Sequence, residues 1–298
     1  MALFSRATHP RDVVTLYAES TDLRYLATEG GRVSRWGSVP LPEGLVTEGL
    51  ITDAAEMGRI IDELFQEQAL LRKRVITGIC ALRSIPRLLT LPRLQASLLE
   101  EAISREAKKE MPISLDDLYL SWQSMPDGGE QQRIYLLGVP RELVDAQIHT
   151  LEAAGIPPFS MDLKPLALIR AVKQPETVII SMEEDMLDIV LVVEYLPAIM
   201  RTFSLEREQL DITGKLDRLV QEVVQTVRFY NDSHTSAPIR PEATIYAVGH
   251  LLEDREHIDY LRNALKRSVE HAAPPIPCPD EMPVAQFMTN LGLALKKR

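Results

Sequence analysis

The order of apolar and polar positions predicts a string of short strands and covering helices. Asp12 to Tyr17 and Leu23 to Ala27 read as strands, and Gly30-Gly31 turns the chain into a third, Arg32 to Trp36. Residues 40–44 (PLPEG) break this meander. Asp53 is placed to cap a helix through about Leu71, with Met57, Ile60, Ile61, Leu64 and Phe65 on one face. Arg74 to Leu82 reads as a buried strand. An amphipathic helix is bracketed by Pro92 and Pro112. Its stripe is Leu94, Leu98, Leu99, Ala102 and Ile103, and its wet face carries Glu101 and Arg105 at i,i+4 spacing. Strands Leu118 to Trp122 and Arg133 to Val139 flank the turn signal 126–129 (PDGG). A helix from Pro140 ends near Gly155, and a short one follows from Pro165 to Val172.

Gln174-Pro175-Glu176 marks a seam, after which the pattern recurs. Strands are expected at Thr177 to Ser181, Asp188 to Val193 and Ala198 to Phe203, then a periodic helix from Asp211 to Tyr230. Strand Thr244 to Val248 meets Gly249, Asp254 caps a helix to about His271, and Ala272 to Pro283 reads as loop. A helix from Pro283 closes the chain. Each half is thus a meander, helices, a strand and a helix. This is an α/β pattern with a first lobe at 1–173 and a second at 174–298.

Composition narrows the function classes. The 298 residues are 45% hydrophobic and carry 33 basic against 43 acidic side chains, a net charge of −10. That balance argues against nucleic acid as a partner, since no basic excess is available to neutralise phosphates. No apolar run approaches the ~20 residues that cross a bilayer, and the start lacks the apolar stretch of a secretory signal, so direct membrane insertion is not expected. The Met1–Phe4 start offers at most a weak interfacial contact, and residues 296–298 (KKR) read as a frayed basic end. Two cysteines, Cys80 and Cys278, far apart and in no CxxC, suit a reducing compartment. Six histidines fall in no metal-ligand spacing, and no GxSxG or GxxxxGK[ST] occurs.

Several stretches resemble one family. Residues 41–53 (LPEGLVTEGLITD), 91–116 (LPRLQASLLEEAISREAKKEMPISLD) and 151–172 (LEAAGIPPFSMDLKPLALIRAV), with 223–231 (VVQTVRFYN) and 287–296 (FMTNLGLALK), are similar to PilM, the cytoplasmic actin-like proteins of type IV pilus assembly. The resemblance implies a two-lobed actin-like fold of the actin and FtsA type. A small inserted subdomain of the first lobe would span about 84–132, between strands Arg74 to Leu82 and Arg133 to Val139.

Such folds hold nucleotide phosphates in two turns, each normally Asp-x-Gly, where glycine lets backbone N–H groups approach and aspartate helps place Mg²⁺. Matched to this chain, the first turn is Tyr17-Ala18-Glu19 and the second Ser181-Met182-Glu183. Tyr17 and Ser181 replace the aspartates, and Glu19 and Glu183 the glycines. A third glycine-rich turn is reduced to Gly249. A carboxylate ~4 Å from a phosphate oxygen costs about 4 kcal/mol at an effective dielectric of 20. The only bases near the turns in sequence are Arg24 and Lys173, and no compensating cluster is expected. ATP and Mg²⁺ are therefore disfavoured, no cofactor is expected, and the implied protein is a pseudo-ATPase scaffold.

The resemblance further implies partners: the short cytoplasmic tail of a PilN-like bitopic membrane protein, and the pilus assembly motor ATPase. The protein would sit at the inner face of the cell membrane through that partner. Candidate groove residues at the insert's junctions are Leu88, Leu91, Pro92, Leu94, Tyr119 and Trp122, though for any single one of them a place in the insert's own small core is the more ordinary role. Two alternatives stay open. An active, polymerising actin-like ATPase would need phosphate turns elsewhere, and Asp127-Gly128 reads as a hairpin tip. A relative of acetate or sugar kinases would need a catalytic carboxylate and a substrate pocket.

Overall fold

A computed structural model describes residues 12–125, 129, 131–206 and 208–296. The expectations for Met1–Phe4, for the 126–128 turn and for the last two residues lie outside them. The first lobe opens with β1 (Val14–Ala18), β2 (Asp22–Glu29) and β3 (Arg32–Pro40). A small hairpin, β4 (Val46–Thr47) and β5 (Leu50–Ile51), precedes α1 (Ala54–Glu67) and β6 (Val75–Ile79). Asp53 caps α1 as expected, accepting from the amides of Ala55 and Glu56. The insert follows as β7 (Ile85–Pro92), α2 (Ala96–Glu110), β8 (Leu118–Ser124) and β9 (Gln131–Pro140). The lobe resumes with α3 (Arg141–Ala153), β10 (Ser160–Leu163) and α4 (Lys164–Val172).

The second half of the chain supplies β11 (Glu176–Met182), β12 (Met186–Val193), β13 (Leu196–Ser204), α5 (Ile212–Ser233), β14 (Ile245–Val248), α6 (Arg255–Leu265), β15 (Val269–His271) and α7 (Val284–Ala294), the last of which packs back on the first sheet. The two large sheets run β3-β2-β1-β6-β10 and β13-β12-β11-β14-β15, the same order twice. In each, a meander is extended by two parallel strands. The expected repeat of elements is therefore a repeat of topology.

Two strands of the large sheets escaped the sequence reading. β10 and β15 are the fifth strands of their sheets, four and three residues long. Parallel edge strands this short show no alternation. The helix expected to reach His271 stops at Leu265, where Lys266 takes a left-handed φ of 54° and turns the chain into β15.

Packing explains the layers. α1 and α3 cover the outer face of the first sheet with Met57, Ile61, Leu64 and Leu151. α5 and α6 cover the second with Leu216, Leu219, Val223 and Leu261. Between the sheets lie α4 and α7, apolar on nearly every side, as a helix buried all round must be. Ala167, Phe287 and Leu291 join strand residues of both lobes in one core. A Cβ on Gly292 would stand 2.0 Å from the Ala167 carbonyl oxygen, so only glycine lets these two helices touch.

The insert's sheet runs β7-β9-β8, with α2 laid over one face. β9 was expected to return to the lobe and end the insert at 132. It is instead the insert's central strand, paired along its length with β7 and β8. β7 was missed because Pro86 and Pro92 interrupt its pattern. Both are tolerated because β7 is an edge strand.

Candidate functional site

The two turns singled out by sequence face each other across the cleft between the lobes. In the β1–β2 turn the Glu19 amide donates to the Asp22 carbonyl at 2.9 Å; in the β11–β12 turn the Glu183 amide donates to the Met186 carbonyl at 3.0 Å. The turns have the same span, and both glutamates are buried.

Cations from elsewhere in the chain meet these carboxylates. Arg24, on β2, crosses to the second lobe and donates to both carboxylate oxygens of Glu183, at 2.8 and 2.7 Å. It is also paired with Asp22 at 2.9 Å and donates to the Gln286 carbonyl at 3.0 Å. Lys164, the first residue of α4, is only 2% exposed. Its ammonium lies 2.9 Å from Glu19 and 3.0 Å from Asp188 on β12, and 5.4 Å from the centre of the Tyr17 ring. Asp188 also accepts from the Thr202 hydroxyl at 2.7 Å. The carboxylates of the two turns are thus compensated, contrary to the expectation from neighbouring sequence. Lys173 takes no part; it is exposed and turns the chain after α4.

Electrostatics follows from burial and this pairing. Burial pushes Glu19 up to about 8, against the pull of Lys164. Burial alone would raise Glu183 as well, but the Arg24 charge and hydrogen bonds hold it below its ordinary range. Burial would lower Lys164, yet Asp188 and Glu19 raise it well above the usual lysine value. The Cys80 thiol beside the cluster is pushed up to about 12, mainly by burial, so it is no ready nucleophile.

The remaining turn residues support this cluster. The Ser181 hydroxyl is buried and has no hydrogen-bond partner among the described residues. Gly249 has φ +98°, and a Cβ there would come within 2.6 Å of the Met182 carbonyl oxygen. This close approach lets the His250 amide reach Glu183 at 3.3 Å. Tyr17, Glu19, Ser181, Glu183 and Gly249 are therefore brought to one place. Over them sits the β4–β5 hairpin, turned by Glu48 and Gly49 at positive φ. Gly49 packs on Cys80, and the Glu48 amide donates to Glu206 of the second lobe at 3.1 Å. The space left at the cleft is about 10 Å³, roughly the room of one water.

The groove candidates lie apart, on the insert. Alternation along the strands divides them. Leu91 and Trp122 face α2 and pack with Leu99, Ile103 and Ile134 in the insert's core. Leu88, Pro92 and Tyr119 share the opposite face, with Tyr135, Leu137 and Val139, which join the main core. Leu88 is 55% exposed. Tyr119 donates to Asp145 of α3 at 2.9 Å and stacks under the Arg141 guanidinium. Leu94 is half-buried just before α2.

A family model described as type IV pilus assembly protein PilM matches residues 21–209, more than half of the chain. The chain belongs to the PilM family. No curated protein sequence matches it significantly. Among solved structures, a PilM–PilN type IV pilus biogenesis complex is similar at 22% identity and a TM-score of 0.80, covering 96% of this chain and 98% of that one. A Bacteroides thetaiotaomicron protein with an actin-like ATPase fold matches at 9% identity and a TM-score of 0.52, covering 97% of each chain. The cytoplasmic domain of EpsL, an inner membrane component of the Vibrio cholerae type II secretion system, matches at 13% identity and 0.53, covering 95% of each. The fold is the two-lobed actin-like one.

In this PilM-family chain a nucleotide triphosphate and its metal do not fit the residues at the turns. The buried carboxylates of Glu19 and Glu183 face the cleft, the Lys164 ammonium fills the space between Glu19 and Asp188, and the β4–β5 hairpin covers the mouth. Pockets for small ligands measure ~300–1,000 Å³. Among the described residues, no group of three or more His, Cys, Asp or Glu side chains could hold a metal ion.

Lys164 and Asp188 were missed by sequence reasoning, yet both left signals. A lysine opening a mostly apolar helix sits at the wrong end of the helix dipole. A lone aspartate in MLDIVLVV, a strand of buried residues, needs a paired cation.

Proposed function

We propose that this protein is a nucleotide-free scaffold of a type IV pilus-type assembly platform, or of a related competence or secretion system. It binds the cytoplasmic tail of a PilN-like bitopic membrane protein and links it to the assembly motor ATPase. It works in the cytoplasm, at the inner face of the membrane, through that partner. Family membership supports the setting, and no helix among the described residues is long and apolar enough to cross a membrane. Similarity to the PilM half of a PilM–PilN complex supports the partner.

The observation that carries the pseudo-ATPase reading is Lys164, held between Glu19 and Asp188 where the two turns converge. The docking function needs no phosphate site. Its candidate surface is the insert face with Leu88, Pro92 and Tyr119, beside an edge strand able to pair with an extended peptide. Leu91 and Trp122 support that face from behind, within the insert's core.

Titration calorimetry tests both halves. A synthetic peptide of the partner's cytoplasmic tail should bind saturably, and Leu88→Glu should weaken it by about tenfold or more. Unchanged binding would move the docking surface elsewhere. Millimolar Mg-ATP should give no saturable heat; saturable heat would end the nucleotide-free reading.

A further inference from the structure

We infer that Lys164 and Arg24 are built-in ligands that latch the two lobes together, in the role a bound nucleotide would otherwise serve. The inference rests on the nucleotide-free reading and adds what replaces the nucleotide. Both cations belong to the first lobe, Lys164 on α4 and Arg24 on β2. Each reaches a buried carboxylate of the second: Lys164 to Asp188 at 3.0 Å, and Arg24 to Glu183 by two bonds at 2.8 and 2.7 Å. Each is also held in its own lobe, Lys164 by Glu19 and Arg24 by Asp22.

The arrangement has the logic of ligand binding. An ammonium and a guanidinium, shielded from water, are clasped from both sides by groups on the two sheets. Opening the cleft would strand buried charges, so closure is the default state. At the cleft mouth, the Glu48–Glu206 bond forms an outer bolt.

Hydrogen exchange on the full chain tests the latch. Lys164→Met keeps the side-chain bulk and removes the charge. It should speed exchange in the segments 18–24 and 182–189 by about tenfold or more, while the insert strands and α1 exchange as in the unaltered protein. Lys164→Ala should show the same opening, and millimolar propylammonium should reverse it by refilling the ammonium site. Should neither variant fold, Asp188→Asn, which removes only the second lobe's charge, should open the same segments. Slow exchange in those segments of the folded variants would overturn the latch. So would a uniform acceleration of the whole chain, or a failure of propylammonium to slow exchange in Lys164→Ala. Protection of the same segments by Mg-ATP in the unaltered protein would instead overturn the nucleotide-free reading, a distinct result.

Discussion

At the cleft, Glu19, Glu183 and Asp188 are buried with two cations, Arg24 and Lys164, that reach them from distant parts of the chain, and Asp22 holds Arg24 from its own strand. On the insert, Leu88 stands in solvent and Tyr119 hydrogen-bonds at the surface, while the leucines behind them fill a small core. The cleft spends its polar groups on itself and leaves room for about one water; the insert leaves apolar surface unspent. The two regions therefore differ in what they leave unpaired: the cleft almost nothing, the insert an exposed leucine beside an edge strand.

The largest effect that could break this contrast is loss of a cleft cation. Lys164→Ala leaves Glu19 and Asp188 facing each other in a buried site and should cost about 3–5 kcal/mol, read by urea denaturation. A cost below about 1 kcal/mol would mean that water replaces the lysine freely. Next is Ile103→Ala in the insert, which empties part of its core and should cost about 2–5 kcal/mol. Limited proteolysis should then cut first within the insert while the cleft segments stay protected. Cutting first at the cleft would show the two regions to be coupled.

The third test is pH. Glu19 holds its proton to about 8 when folded, against 4.5 as its ordinary value. The folded state therefore binds more protons between these values, and stability falls as pH rises across them. Glu183 is held below its ordinary 4.5, so its contribution is present above that pH and is lost as pH falls through its folded value. The cluster should give greatest stability near pH 5, with the melting temperature declining towards pH 9. Glu19→Gln should flatten the alkaline decline, and a decline of the same slope in that variant would remove Glu19 as its cause. The smallest effect belongs to the insert surface: Leu88→Ala should shift stability by less than about 0.5 kcal/mol. A larger loss would place Leu88 in a packed core.

The local signals in the sequence served the helices well. Asp53 capping α1 and the Met57–Phe65 stripe were legible because a cap and a 3.6-residue period lie within one segment. The repeated meander was legible as an order of elements. β10 and β15 were not, because a parallel edge strand of three or four residues has too few positions to show a period. Glu19 and Glu183 do lie in strand-to-strand turns, but their chemistry was read as uncompensated. The cation that meets Glu19 comes from 145 positions away, and the partner of Glu183 is an arginine 159 positions away. Pairings of that range follow from topology, and the sequence held only indirect marks of them, a lysine heading a mostly apolar helix and an aspartate in an apolar strand.

A clasp that is part of the polypeptide is present at one copy per molecule and cannot be diluted, competed away or hydrolysed. Because Lys164 arrives with the chain, the latch proposed above would make the protein's shape independent of the energy charge of the cell. Timing in an assembly built on it has to come from its neighbours.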